Sequence, residues 1–165
     1  MTPGSYETAA LWNANVYNGL SFVLNPPVFV AYQSAVQSIP NSSITTIGMD
    51  TTVIDTYAGH SNVTNNNRYT PTVAGWYLVV ASIGFAANAT GGRDLEIRKN
   101  GSTVNLGQSA NQAADASITT TIRAVAPVLC NGTTDYIDMF GYQTCGSSLN
   151  TNPGQTGMFV FWMHA

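Results

Sequence analysis

Residues 75–85, Gly-Trp-Tyr-Leu-Val-Val-Ala-Ser-Ile-Gly-Phe, read as a strand with large apolar side chains on both faces. Successive side chains of an extended chain point to opposite sides. Tyr77, Val79, Ala81, Ile83 and Phe85 therefore share one face, and Trp76, Leu78 and Val80 share the other. A strand with one side in water alternates apolar with polar, so two apolar faces require cover on both sides. In an antiparallel sandwich the opposing sheet covers one face. The other needs a second surface, most simply another subunit. The pattern thus constrains assembly as well as fold.

The rest of the chain supplies the other strands of such a sandwich. Strand signals are predicted over 28–36, 43–47, 52–55, 94–98, 103–106, 118–129, 135–142 and 158–164, with a break at Pro127. Lys99-Asn100-Gly101-Ser102 predicts a tight hairpin, because Asn-Gly accepts the positive φ values that such turns require. Polar loops are expected at 58–67, 105–117 and 146–157. Many short strands separated by turn residues indicate an all-β sandwich or jelly roll, and 165 residues suffice for one such domain. Ahead of it, the spacing of Ala9, Trp12, Val16, Leu20 and Val23 predicts a helix over 6–24, with Ser5 or Thr8 as its cap and Asn25-Pro26-Pro27 as its stop. That helix either packs on its own domain or lies outside it as a docking or trimer-forming element.

Charge excludes several functions. Asp, Glu, Lys and Arg make up 8% of the chain, against roughly 25% in ordinary soluble domains. Surface polarity falls instead to 16 Asn, 13 Ser and 20 Thr. Five scattered Lys/Arg and a net charge of -3 leave no basic patch for nucleic acid. No apolar run is long enough to span a membrane, and residues 1–24 lack the basic and apolar regions of a secretory signal. Cys130 and Cys145 fall at opposite ends of successive strands, which predicts two free thiols.

Catalytic and metal constellations are not expected. The histidines, His60 and His164, have no acid or thiol at ligand or triad spacing, and no Gly-x-Ser-x-Gly elbow exists. Asp135 and Asp138, three apart on a strand, point to opposite faces and cannot act as a pair. No cofactor and no metal are predicted, and the reading is of a non-enzyme. For ligands, the loops carry Tyr57, His60, Asn65, Asn66, Asn67 and Asn150, types that stack on and hydrogen-bond to sugars.

The order of motifs carries a resemblance. Tyr69-x-Pro71-x-x-x-Gly75-x-Tyr77, the Lys-Asn-Gly turn at 99–101, Asp135-Tyr136-Ile137 and the terminal Phe159-Val160-Phe161-Trp162 resemble the C1q/TNF-like jelly roll over residues 28–165. Residues 1–27, with Thr8-Ala9-Ala10, Asn18-Gly19-Leu20 and Phe22-Val23-Leu24-Asn25-Pro26-Pro27, resemble the helical leader of actinobacteriophage virion proteins. The resemblance implies a ten-stranded jelly roll that forms a homotrimer through its inner sheet, with Trp76, Leu78, Val80, Phe159, Phe161 and Trp162 at the interface. It implies an anchor helix, carrying Trp12, Val16, Leu20 and Val23, that attaches the trimer to phage capsid or tail proteins. It further implies a structural knob on the virion surface, assembled in the host cytoplasm, that contacts host-surface glycans. Some relatives bind calcium through loop acids, and Asp115 is the residue that could line such a ring. A bacterial or prophage carbohydrate-binding module acting without a particle is the alternative reading.

Overall fold

The computed structural model describes residues 8–111 and 115–165. Residues 9–24 form one helix, α1, which is α-helical over Ala9–Trp12 and Asn18–Leu24 and widens to a π-turn over Asn13–Tyr17. Thr8 caps it, its hydroxyl accepting from the Leu11 amide at 3.2 Å, which satisfies a donor that the first turn leaves free. The predicted start at residue 6 and the alternative cap Ser5 lie outside the described residues.

Twelve strands follow: β1 (Val28–Tyr32), β2 (Ser38–Ile39), β3 (Thr45–Thr46), β4 (Thr51–Asp55), β5 (Arg68–Tyr69), β6 (Gly75–Phe85), β7 (Arg93–Lys99), β8 (Ser102–Asn111), β9 (Thr120–Cys130), β10 (Ile137–Gln143), β11 (Leu149–Asn150) and β12 (Gly157–His164). Ten of them build two antiparallel sheets of five. The first runs β4-β1-β12-β6-β9; the second runs β3-β10-β7-β8, with β5 also paired to β10. Strands β2 and β11 form a separate short ribbon. The first and last strands of the sequence thus lie side by side in mid-sheet, and β6 is held between β12 and β9. The predicted all-β jelly roll preceded by one helix is the architecture found.

The core fills the space between the sheets. Tyr77, Val79, Ala81, Ile83 and Phe85 of β6 meet Leu95 and Ile97 of β7 and Ile137 and Met139 of β10, all buried. Ring stacking adds to this packing, since Phe29 lies on Tyr69 at 4.5 Å between ring centres. The hairpin at 99–102 takes positive φ at both central residues, 52° at Asn100 and 78° at Gly101, as its sequence predicts.

Several predicted boundaries move, for local reasons. Strand β1 ends at Tyr32 rather than residue 36, because the Asp50 carboxylate accepts from the amides of Ser34 and Ala35 and turns the chain. Strand β9 runs unbroken through Pro127; it is an edge strand, where a missing N–H removes no ladder bond that the sheet requires. Strand β8 continues to Asn111 instead of stopping at 106, since a bulge with Leu106 at φ 64° absorbs the break in its alternation. The ribbon β2/β11 falls where only loop is predicted.

Candidate functional site

One face of the first sheet packs on the core. On its other face the register aligns apolar residues in transverse rows across the strands. Ile54, Val30, Phe159, Val80 and Val125 form one row through all five strands. Val28, Phe161, Leu78 and Pro127 form the next, and Trp76 with Leu129 continues the pattern. Toward the other end of the sheet the face stops at Tyr32, Gly157, Ser82 and Arg123, where Arg123 is its first charge. These side chains are half-buried or exposed in the single chain, Val125 at 52% and Leu129 at 48%. An apolar surface this continuous exceeds the scattered exposure of ordinary monomers.

Trp76, Leu78, Val80, Phe159 and Phe161 therefore lie on one surface, together with Val28, Val30, Ile54, Val125, Pro127 and Leu129, which the sequence reading does not single out. The missed signal is legible in β9, whose residues 124–129 are apolar on both faces just as those of β6 are. Trp162 lies on the opposite side of its strand. It pairs with the inward-facing Tyr77, packs on the core, and its indole Nε1 donates to the Ala74 carbonyl at 3.1 Å.

A second surface of mixed character adjoins the first at the sheet edge. Between β8 and β9 lies a cavity of about 560 Å³, where Trp76, Val104, Leu106, Pro127 and Leu129 meet the polar Lys99, Ser102, Thr103 and Asn105. Leu106 is 82% exposed and holds a positive φ. That conformation is costly for a side chain with no local hydrogen bond to compensate.

Helix α1 stands apart from the sandwich. Phe22 packs edge-on against Trp162 at 4.8 Å between ring centres, and less closely against Tyr57 at 6.2 Å. The stripe predicted from its spacing remains open: Trp12, Leu20 and Val23 are exposed and Val16 is half-buried. No residue from 9 to 24 is charged. Among the described residues no helix is long and apolar enough to cross a membrane.

The sugar-type residues separate into different places. Tyr57 donates its hydroxyl to the Asn25 carbonyl at the root of the helix, and Asn150 sits in the β2/β11 ribbon. His60 and Asn65 instead line a polar hollow with Ser61, Thr64, Arg68 and Thr70. Asn66 gives its carbonyl to the Met49 amide at 2.7 Å, and Asn67 precedes β5.

The acids are dispersed. Asp135 pairs with Lys99 and accepts from Asn100 Nδ2 at 2.7 Å, which holds its carboxyl below the usual range. Asp115 accepts from the amides of Ser117 and Ile118 in a tight turn. Among the described residues no three His, Cys, Asp or Glu side chains gather as a metal site. Cys130 and Cys145 are buried and unbridged, and burial pushes the Cys130 thiol up to about 12.

Asp138 is the exception in burial. It lies between Arg68 and Arg98 in the register of the second sheet, 3% exposed. Burial raises its carboxyl to about 6, against the opposing pull of Arg98 and Arg68. The unfolded carboxyl ionises near 3.8, so the folded state retains a proton that the unfolded state has lost between these values. Its stabilising contribution is complete below about 3.8 and disappears as pH rises through about 6. Asp138→Asn is therefore expected to gain roughly 2–3 kcal/mol relative to wild type between pH 4 and pH 7. Urea titrations of both proteins at the two pH values measure this; a constant difference would contradict it.

No protein-family model matches the chain, and no curated protein sequence does either. Solved structures do match. Murine APRIL at pH 5.0 superposes with a TM-score of 0.63 at 12% identity, over 83% of this chain and 98% of that one. The PRD1 vertex protein P5 gives 0.59 at 14% identity, over 84% and 97%. Eiger TNF from S. frugiperda gives 0.57 at 10% identity, over 83% and 93%. At these identities the likeness concerns the fold. The chain is a TNF-like jelly roll carrying one N-terminal helix.

Proposed function

We propose that this protein is a non-enzymatic structural knob of a bacteriophage virion, of the actinobacteriophage type, built as a homotrimer. The apolar face of the first sheet carries the reading. It adjoins a differently shaped edge of mixed character at Leu106. Contact between unlike surfaces propagates head to tail and closes into a ring where the rotation permits, whereas a face meeting its own copy gives a dimer. The TNF-like fold favours three subunits for that ring.

Helix α1 is the attachment element in this reading. Phe22 fixes it to the end of the sandwich, and its uncharged stripe faces away from the domain for a capsid or tail protein. The likeness to the phage PRD1 vertex protein supports a place on the particle surface. From the particle, the polar loops face host-surface glycans.

Deleting residues 1–24 is expected to leave a soluble trimer that no longer joins the particle. Sedimentation of the truncated chain, with cryo-electron microscopy of particles assembled with and without it, tests both parts. A full-length chain absent from purified particles would overturn the virion assignment. Truncated chains that sediment as monomers would make the helix an assembly element instead of an anchor.

A further inference from the structure

We propose that the hollow between the loop 58–67 and β5 binds a single sugar ring carrying an oxyanion. The inference takes from the surface-knob reading only the source of that sugar, an acidic polymer of the host surface. The hollow has a volume of about 220 Å³, below the roughly 300–1,000 Å³ of pockets for drug-sized ligands. It shares no residue with the apolar sheet face, so assembly through that face leaves it open.

The hollow is held in place before any ligand arrives. The His60 amide donates to Asp55 Oδ2 at 2.9 Å, and its ring nitrogens sit 2.8 and 3.1 Å from the carbonyls of Arg68 and Met49. The His60 ring also packs on Phe29, 5.0 Å between centres. The Thr70 amide donates to the Gly59 carbonyl at 2.8 Å, and Ser61 Oγ accepts from the amides of Val63 and Thr64. At Gly59 a side chain is excluded, since a Cβ there would come within 2.5 Å of the Tyr69 ring. His60 is thereby consumed as a strut and has no ring nitrogen left for a ligand.

The groups left over define the ligand. Arg68, Asn65, Thr64 and Thr70 line the hollow, and among the described residues the guanidinium, the carboxamide and the two hydroxyls have no hydrogen-bond partner. Arg68 is the one charged residue of the lining. Its guanidinium carbon lies 4.8 Å from the centre of the Tyr136 ring, beside Asp138 in the register of the second sheet, and the guanidinium makes no hydrogen bond or ion pair among the described residues. A planar donor edge suits the paired oxygens of a carboxylate or phosphate. Neighbouring hydroxyl and amide groups suit the ring hydroxyls of a sugar. No carboxylate lines the hollow, which removes a metal site, and its polar walls disfavour an apolar ligand. A single arginine falls far short of a nucleic-acid surface.

The test is titration of the full chain, followed by NMR of the amides of residues 58–70, with four probes: a galacturonic acid disaccharide, glucose 6-phosphate, a neutral disaccharide and acetate. The acidic sugar is expected to bind at least about tenfold more tightly than the neutral sugar and acetate, the difference that one charge-assisted bidentate contact supplies. The stronger of the two acidic probes identifies carboxylate or phosphate as the natural oxyanion. Arg68→Gln should lose about that same tenfold factor. Asn65→Gly keeps the positive φ of 52° at that position and should weaken binding severalfold while melting as wild type. Acetate or the neutral sugar binding as well as the acidic sugars, or Arg68→Gln binding like wild type, would overturn the proposal, as would no binding by any probe. Sedimentation of the same samples reports assembly separately, so failure of the site and failure of the trimer are distinguishable.

Discussion

On the trimeric assembly proposed above, Val80→Asp is expected to give a folded monomer under conditions where the wild-type chain sediments as a trimer. Val80 sits in the middle of the row Ile54-Val30-Phe159-Val80-Val125, on the face turned away from the core. In a single chain an aspartate there reaches water, so the fold loses little beyond a strand-propensity cost of about 1 kcal/mol. In an assembly sealed through this face, the same carboxylate is taken out of water three times per trimer. Arg123, in the adjoining row of Ser82, is the one cation on this face that could reach it, and pairing would offset part of the cost. Desolvating the carboxylate still costs about 3 kcal/mol or more after such pairing, enough to weaken association by about a hundredfold. Sedimentation with light scattering gives the mass, and thermal melting confirms the fold. A Val80→Asp chain that remains trimeric would remove this face from the interface. Trp162→Asp separates the two sides of the sheet. Trp162 packs on the core and its indole bonds to Ala74, so that change should lower the melting temperature and loosen Phe22 of α1.

Arg93→Ala should be as destabilising as truncating a buried core residue, at about 3–4 kcal/mol. Arg93 is 1% exposed, and no carboxylate pairs with it among the described residues. Its guanidinium instead donates to three carbonyls of the preceding loop: Asn88 at 3.1 Å, Thr90 at 3.0 Å and Gly92 at 2.9 Å. It also lies 5.8 Å from the centre of the Phe85 ring. Burial lowers its affinity for its proton, yet the charge is retained because three carbonyl dipoles surround it. Removing the side chain leaves those carbonyls unsatisfied beneath the loop and opens a void beside Phe85. Arg93→Lys keeps the charge but offers one compact donor group where three directions are needed, so it should recover less than half of the loss. Urea unfolding measures both variants; a loss below about 1 kcal/mol for Arg93→Ala would show that the loop re-forms without it.

The sequence alone made much of this molecule legible. The doubly apolar stretch at 75–85 marks a central strand, and β6 lies between β12 and β9. Asn100-Gly101 marks the hairpin, because few residues other than these accept positive φ. Thr8 is one of the two caps that the sequence offers for the helix, since its hydroxyl suits the free amides of a first turn, and it is found capping Ala9–Trp12. Such features depend on one residue and its immediate neighbours. The end of β1 was not legible, because the carboxylate that bends the chain belongs to Asp50, far along the sequence. Nor was the ribbon β2/β11, whose two short pieces are strands only through each other. Leu106 read as a strand end because its break in alternation is the same whether the chain turns or bulges.

Binding surfaces divide in the same way. Periodicity identified Trp76, Leu78 and Val80 as one face of a strand, because alternation is a property of the backbone itself. Whether Phe159 and Phe161 join them, or Val160 and Trp162 do, depends on the register between β12 and β6. That register is fixed by packing, which places Val160 in the core and sets Trp162 against Ala74. The hollow at Arg68 likewise needs His60, Phe29, Met49 and Thr70 brought together from four segments. By itself the sequence determined the strand, the turn and the helix, whose causes are local. Only the tertiary structure decided which apolar residues form one surface and which polar ones are left without partners, because burial and hydrogen bonding are settled among residues distant in the chain.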